Sequence, residues 1–177
     1  VAAPDALIAD AVAKARASDV AVVFVSESEG EGVDRSTMDL PGAQDALVEA
    51  VARANRHTIV VLNTGGAVAM PWLDDVNGVL EMWYPGDQFG RAAADLLFGD
   101  ADPGGRLPIT WPASERQGPG QTPETWPGVL APNTTNPTSW TEKFSEGVNV
   151  GYRYWDAFHQ KPLFPFGYGL SYAKVRY

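Results

Sequence analysis

Short amphipathic helical stretches alternate with β-branched runs along the first hundred residues, and this alternation constrains the fold more than any other feature. Leu7, Ile8, Ala11, Val12 and Ala15 recur at spacings of three and four, which predicts a helix over 6–17 with Pro4 and Asp5 suited to its start. Asp19 to Ser26 holds Val20, Val22, Val23, Phe24 and Val25, a continuous run of the kind found in parallel strands covered on both faces. After a polar loop, Pro41 stands at a plausible first helical position, and Ala43, Leu47, Val48, Val51 and Ala54 form the next apolar stripe, ending near Asn55. Thr58 to Asn63 and Gly78 to Tyr84 read as strands closed by Thr64-Gly65-Gly66 and Pro85-Gly86. Arg91 to Phe98 reads as a helix stopped by Gly99, and Leu107 to Trp111 as a fourth strand.

Right-handed crossovers convert such an order into an α/β fold, a three-layer α/β/α sandwich with a mainly parallel sheet. In these sheets ligands sit beyond the carboxyl ends of the strands, so the loops after Ser26, Asn63 and Tyr84 are where chemistry is expected. From Pro112 to Gly147, prolines interleave with Gly, Thr, Asn and Ser, and 112–147 reads as an irregular surface excursion of a single domain over 1–177. The end of the chain, Phe164 to Tyr172, is aromatic and turn-rich.

Composition narrows the function classes. Thirteen Lys plus Arg against 22 Asp plus Glu give a net charge of −9, which disfavours nucleic acid and anionic membrane surfaces. With no cysteine there is no thiol nucleophile or zinc-thiolate site, and nothing marks the compartment. The longest apolar runs fall far short of the roughly 20 residues that span a bilayer. The chain opens Val-Ala-Ala-Pro-Asp with neither a basic leader nor an initiator Met, so it reads as trimmed.

The loop after the first β run gathers five acids, Glu27, Glu29, Glu31, Asp34 and Asp39, against Arg35 alone, holding net −4 of the −9. Four readings of it stand side by side. It is a solvated surface face; or a phosphate cradle, weakened by Glu31 and by the lack of a third glycine; or a calcium loop built on Glu27, Glu29 and Glu31, without the Asp-x-Asp-x-Asp-Gly pattern. The fourth is a general acid/base site, in which crowded negative charge tunes one carboxyl toward neutrality. Gly30 and Gly32 bracket Glu31 and permit its close, exposed approach to a ligand. His57 and His159, the two histidines, read as surface or packing residues, and no Ser sits in a Gly-x-Ser-x-Gly context. Among the tryptophans, Trp126 and Trp140 in the excursion are the candidates for sugar stacking. Asn133-Thr134-Thr135 has the form of a glycosylation acceptor.

Several separated stretches carry a resemblance. They are Glu31-Gly32-Val33-Asp34-Arg35 with Met38-Asp39-Leu40-Pro41; Thr64-Gly65-Gly66 with Pro71-Trp72; Trp83-Tyr84-Pro85-Gly86; Gly104-Gly105-Arg106-Leu107-Pro108-Ile109-Thr110; and Phe164 to Tyr172. In this order they resemble the family 3 glycoside hydrolases, the β-glucosidase family, over nearly the whole chain, and specifically the α/β sandwich that follows a barrel in that family. The resemblance implies a retaining hydrolase of β-linked glucosides or oligosaccharides, without cofactor or metal. Its nucleophilic Asp lies on an N-terminal barrel domain, and its acid/base Glu on this sandwich. By motif that Glu falls on Glu31, with Glu27 and Glu29 as runners-up. Taken alone, the sandwich is then expected to be inert. Two departures stand out: Val33 replaces the aromatic residue frequent after the Glu-Gly pair, and Pro85-Gly86-Asp87-Gln88-Phe89-Gly90 replaces Pro-Gly-x-Glu-Gly-Gly, a change expected to reflect helix-start packing. Asp34 and Arg35 are expected to pair and shape the loop. The competing reading from another class is a non-catalytic carbohydrate-binding or docking module.

Overall fold

The computed structural model describes residues 4–32, 35–132, 135–136 and 138–173, and the chain divides into two compact units, Val1–Asp102 and Pro103–Tyr177. In the first unit, α1 (Pro4–Arg16) opens with Pro4 and Asp5 and closes with Lys14 and Arg16, charges placed to complement the helix dipole. It packs on α2 (Gln44–Ala54), whose Val48, Val51 and Ala52 are buried. Pro41 lies ahead of α2 and is not its first helical residue. Asn55 ties the two helices together: its buried amide donates to the Ala15 and Ser18 carbonyls, while its Oδ1 accepts from the His57 N–H.

The sheet has three strands, β1 (Ala21–Ser26), β2 (Thr58–Asn63) and β3 (Gly78–Glu81), in the order β1-β2-β3, all parallel. The register pairs Ala21 with Thr58 through Ser26 with Asn63, and Ile59 with Gly78 through Leu62 with Glu81. Val60, Val61 and Leu62 of the central strand are fully buried on both of its faces. β1 differs from expectation. Its burial alternates, with Ala21, Val23 and Val25 inside and Val22 and Phe24 exposed. Phe24 is not bare, for its ring meets that of Phe89 edge to face at 5.9 Å. Phe89 opens α3 (Phe89–Phe98), which Gly99 ends in the left-handed conformation. A 3-10 turn over Gly86–Gln88 leads directly into this helix, which is what a helix-start role for the departing Pro-Gly-Asp-Gln segment requires.

β3 is shorter than the sequence suggests because Trp83 takes a positive φ of 52°, outside the range of an extended strand. The parallel register brings the residues after all three strands to one edge. The ladder continues one step beyond them, with the Glu27 N–H donating to Asn63 O and the Met82 N–H to Leu62 O.

In the second unit no strand forms over Leu107 to Trp111. Pro108 lacks an N–H, and only Trp111 makes an isolated antiparallel bridge, to Phe164. Two short strands, β4 (Val129–Leu130) and β5 (Trp140–Thr141), pair antiparallel inside the stretch expected to be irregular. The chain then forms α4 (Tyr152–Ala157). Trp111 and Trp155 are the buried anchors of this unit, whereas Trp126 and Trp140 are exposed. Asn133 and Thr134 lie outside the described residues. Among the described residues no helix is long and apolar enough to cross a membrane.

Truncating the central strand tests this core. Leu62→Ala removes a fully buried side chain and is expected to destabilise by about 2–5 kcal/mol, whereas Val22→Ala on the exposed side of β1 changes stability by about 0.5 kcal/mol or less. Equilibrium denaturation of the two variants measures the contrast.

Candidate active site

Glu27 is the first residue beyond β1, and it is buried. A carboxylate at such depth is stable only when its oxygens find donors. The register supplies them. Thr64-Gly65-Gly66 leaves β2 alongside, and the N–H groups of Gly65 and Gly66 donate to Glu27 Oε1 at 3.0 and 3.3 Å. Arg35 Nη1 donates to Oε2 at 2.6 Å.

Arg35 holds three groups at once. Besides Glu27, its Nε pairs with Glu29 Oε1 at 2.7 Å, and its Nη2 donates to the Ala67 carbonyl at 2.9 Å. The pair between Glu29 and Arg35 closes the loop between them, and Glu31 and Gly32 lie within that closed segment. Gly32 has a φ of 81°, a left-handed conformation that a side chain resists. Glu31 is exposed. Arg35 holds the loop through Glu27 and Glu29; Asp34, the partner expected for it, and Val33 lie outside the described residues.

The two glycines of the neighbouring turn are required by crowding. A Cβ on Gly65 would collide with the Glu29 carboxyl and come within 2.7 Å of the Tyr84 ring, and one on Gly66 would stand 3.0 Å from the Arg35 guanidinium. Tyr84 also donates its hydroxyl hydrogen to the Glu27 backbone carbonyl at 3.4 Å. Partial desolvation and then the charge of Glu27 push the Glu29 carboxyl above its ordinary range, against the pull of Arg35. The same crowding of negative charge, after desolvation, raises the Tyr84 hydroxyl.

Glu81, at the end of β3, was not legible as a site residue. In the sequence it lies inside the run read as a strand over Gly78 to Tyr84, and only the pairing of β2 with β3 brings it against Thr64. Its Oε1 accepts the Trp83 N–H at 2.6 Å and its Oε2 lies 3.1 Å from the Thr64 hydroxyl. Burial, reinforced by the charge of Glu27 and opposed by hydrogen bonds from Trp83 and Thr64, pushes its carboxyl up to about 7. The Asn63 amide donates to the Trp83 carbonyl, fixing the same turn from the other side.

The structure therefore separates the three candidate acids. Glu27 is saturated inside the fold, Glu29 is held by Arg35 at the rim, and Glu31 stands outward. Among the described residues no group of three His, Cys, Asp or Glu side chains is gathered so as to hold a metal ion. Both histidines are exposed, and His57 contacts the Asp19 carbonyl.

The profile of the glycosyl hydrolase family 3 C-terminal domain matches residues 2–172. A β-glucosidase of Rhizobium radiobacter is 45% identical over 175 residues, covering 96% of this chain and 20% of that protein. An exo-α-(1→6)-L-arabinopyranosidase of Bifidobacterium breve is 39% identical over 172 residues, covering 95% of this chain and 21% of its own. Among solved structures, a β-glucosidase of Streptomyces venezuelae in complex with D-glucose superposes with a TM-score of 0.87 at 49% identity, over 95% of this chain and 20% of that one. The chain spans about a fifth of the length of these relatives.

Arg35→Met tests the clamp. It leaves Glu27, whose side chain is only 2% exposed, without its cation and is expected to destabilise by about 3 kcal/mol or more, read by chemical denaturation. A loss below about 0.5 kcal/mol, the range of ordinary surface changes, contradicts the role given to Arg35.

Proposed function

This chain belongs to the glycosyl hydrolase family 3 C-terminal domains, and we propose that within a longer retaining β-glucosidase-like enzyme it supplies Glu31 as the general acid/base. One observation supports this reading: among the described residues, Glu31 is the one glutamate of the loop after β1 with no hydrogen bond or ion pair to the rest of the loop, and it stands exposed on the segment between Glu29 and Arg35. A proton-transfer group must reach the substrate without being consumed by internal hydrogen bonds. Glu27 cannot do so with both oxygens satisfied. Glu29 is the second candidate, because its carboxyl is raised, but one of its oxygens is committed to Arg35.

The chemistry follows from the two-carboxyl scheme of retaining hydrolysis. The Glu31 carboxylic acid gives its proton to the glycosidic oxygen as the bond from that oxygen to the anomeric carbon breaks, while an Asp carboxylate on a barrel domain bonds to the same carbon. The Glu31 carboxylate then takes a proton from water as the water oxygen attacks that carbon and releases the Asp. The substrate is a β-linked glucoside or oligosaccharide. The names of the relatives support a small pyranoside, since they include β-glucosidases and an arabinopyranosidase.

Glu31→Ala in the full-length enzyme tests the assignment. Glycosides with poor leaving groups are expected to slow by about 10²- to 10⁴-fold, activated aryl glycosides much less, and azide is expected to restore turnover of the latter. Equal slowing of all substrates with no azide rescue removes Glu31 from the role. If Glu29→Ala shows the leaving-group pattern instead, the assignment moves to Glu29. If neither does, a non-catalytic docking role for this loop is favoured. The 177-residue chain without a barrel is expected to release no aryl chromophore.

A further inference from the structure

Thr64 lies between two oxygen acceptors. Its Oγ1 is 3.0 Å from the Gly66 carbonyl oxygen and 3.1 Å from Glu81 Oε2. A hydroxyl carries one hydrogen and can donate to one of them. Thr64 is fully buried, so solvent does not reach it to make up the difference. If Glu81 were ionised, its Oε2 and the Gly66 carbonyl oxygen would compete for the one Thr64 hydroxyl hydrogen, and the carboxylate would otherwise rely on the backbone N–H groups of Thr64 and Trp83.

A proton on Glu81 completes the set. Oε2–H then donates to Thr64 Oγ1, the Thr64 O–H donates to the Gly66 carbonyl, and Oε1 remains free to accept the Trp83 N–H. We infer that Glu81 carries a proton in the folded protein and acts as a positioning residue, fixing through Thr64 the Gly65–Gly66 turn whose N–H groups hold Glu27. From Glu27 the restraint passes to Arg35 and thence to the segment bearing Glu31. The consequence for catalysis rests on the acid/base reading of Glu31; the protonation of Glu81 does not.

The surroundings agree. Facing Glu81 from the end of β1 is the charge of Glu27, itself paired with Arg35; from the end of β2 come the hydroxyl and backbone of Thr64; beyond β3 comes the Trp83 amide. Burial, reinforced by the Glu27 charge, favours the neutral acid, outweighs the hydrogen bonds from Trp83 and Thr64, and raises its carboxyl to about 7. Because this folded value lies above the ordinary 4.5, the folded state holds more protons than the unfolded one between those pH values. Stability contributed by this group is therefore greatest below about 4.5 and declines as pH rises to about 7. A glutamine, whose amide donates where the acid does, has no such slope.

The test uses the full-length enzyme. Infrared spectra at pH 6 of wild type and Glu81→Gln are expected to differ by a protonated carboxylic acid carbonyl band, present in wild type and fading as pH is raised through about 7. Absence of that band, or a midpoint in the range of surface carboxylates, overturns the inference. In kinetics at pH 6, Glu81→Gln is expected to keep wild-type kcat, whereas Glu81→Leu lowers kcat by up to about 100-fold through misplacement with little change in KM. If Glu81→Leu also keeps wild-type kcat, or Glu81→Gln loses it, the positioning role is overturned. The infrared result is independent of Glu31, so failure of azide rescue in Glu31→Ala and failure of this inference are told apart.

Discussion

A buried carboxylate is the constraint around which the carboxyl edge of the sheet in the first unit is organised. Glu27 lies where the hydrophobic strand β1 ends and is withdrawn from water. Its charge demands two kinds of compensation, donors for its oxygens and a counter-charge. The first is met by backbone N–H groups, which come close enough only because Gly65 and Gly66 lack side chains. The second is met by Arg35, and the guanidinium's planar fork lets one cation bind two glutamates and a carbonyl at once. Remove the buried charge and there is no reason for the loop to fold back on itself.

The parallel sheet makes this arrangement possible. Parallel strands end on the same edge, so residues far apart in sequence, Glu27, Thr64 and Trp83, become neighbours without any long connection crossing the site. Three chemically similar side chains on one loop then acquire different tasks. Depth makes Glu27 an anchor, the shared guanidinium makes Glu29 a latch, and exposure leaves Glu31 available to a ligand. Glu81 and Thr64 brace the turn from beneath. The environment, more than the residue type, separates these roles.

Much of this was legible beforehand, and the exceptions have physical causes. β2 could be read with its observed limits because a β-branched run between His57 and Thr64 has no helical period. β1 was expected to be covered on both faces, yet Val22 and Phe24 are exposed; apolar residues report what a strand is able to bury, not what covers it. Leu107 to Trp111 looked like a strand by composition, but Pro108 removes a ladder donor and, within that stretch, only Trp111 forms a β-bridge. Arg35 could be read as shaping its loop, whereas its partners Glu27 and Glu29 depend on how the chain folds back. Glu81 was invisible because its contact with Thr64 is set by strand register, which single-residue patterns do not encode.

The chain belongs to the family 3 C-terminal domains and spans about a fifth of the length of its relatives. The most direct test of the central claim is a structure of the full-length enzyme with an unhydrolysed glycoside bound, from which two separations are read. The Glu31 carboxyl is expected within about 2.6–3.2 Å of the glycosidic oxygen and about 5–5.5 Å from a nucleophilic carboxyl on the barrel, with Glu27 still gripped by Gly65, Gly66 and Arg35. A bound glycoside whose bridging oxygen faces another acid, with Glu31 turned to bulk water, would contradict it.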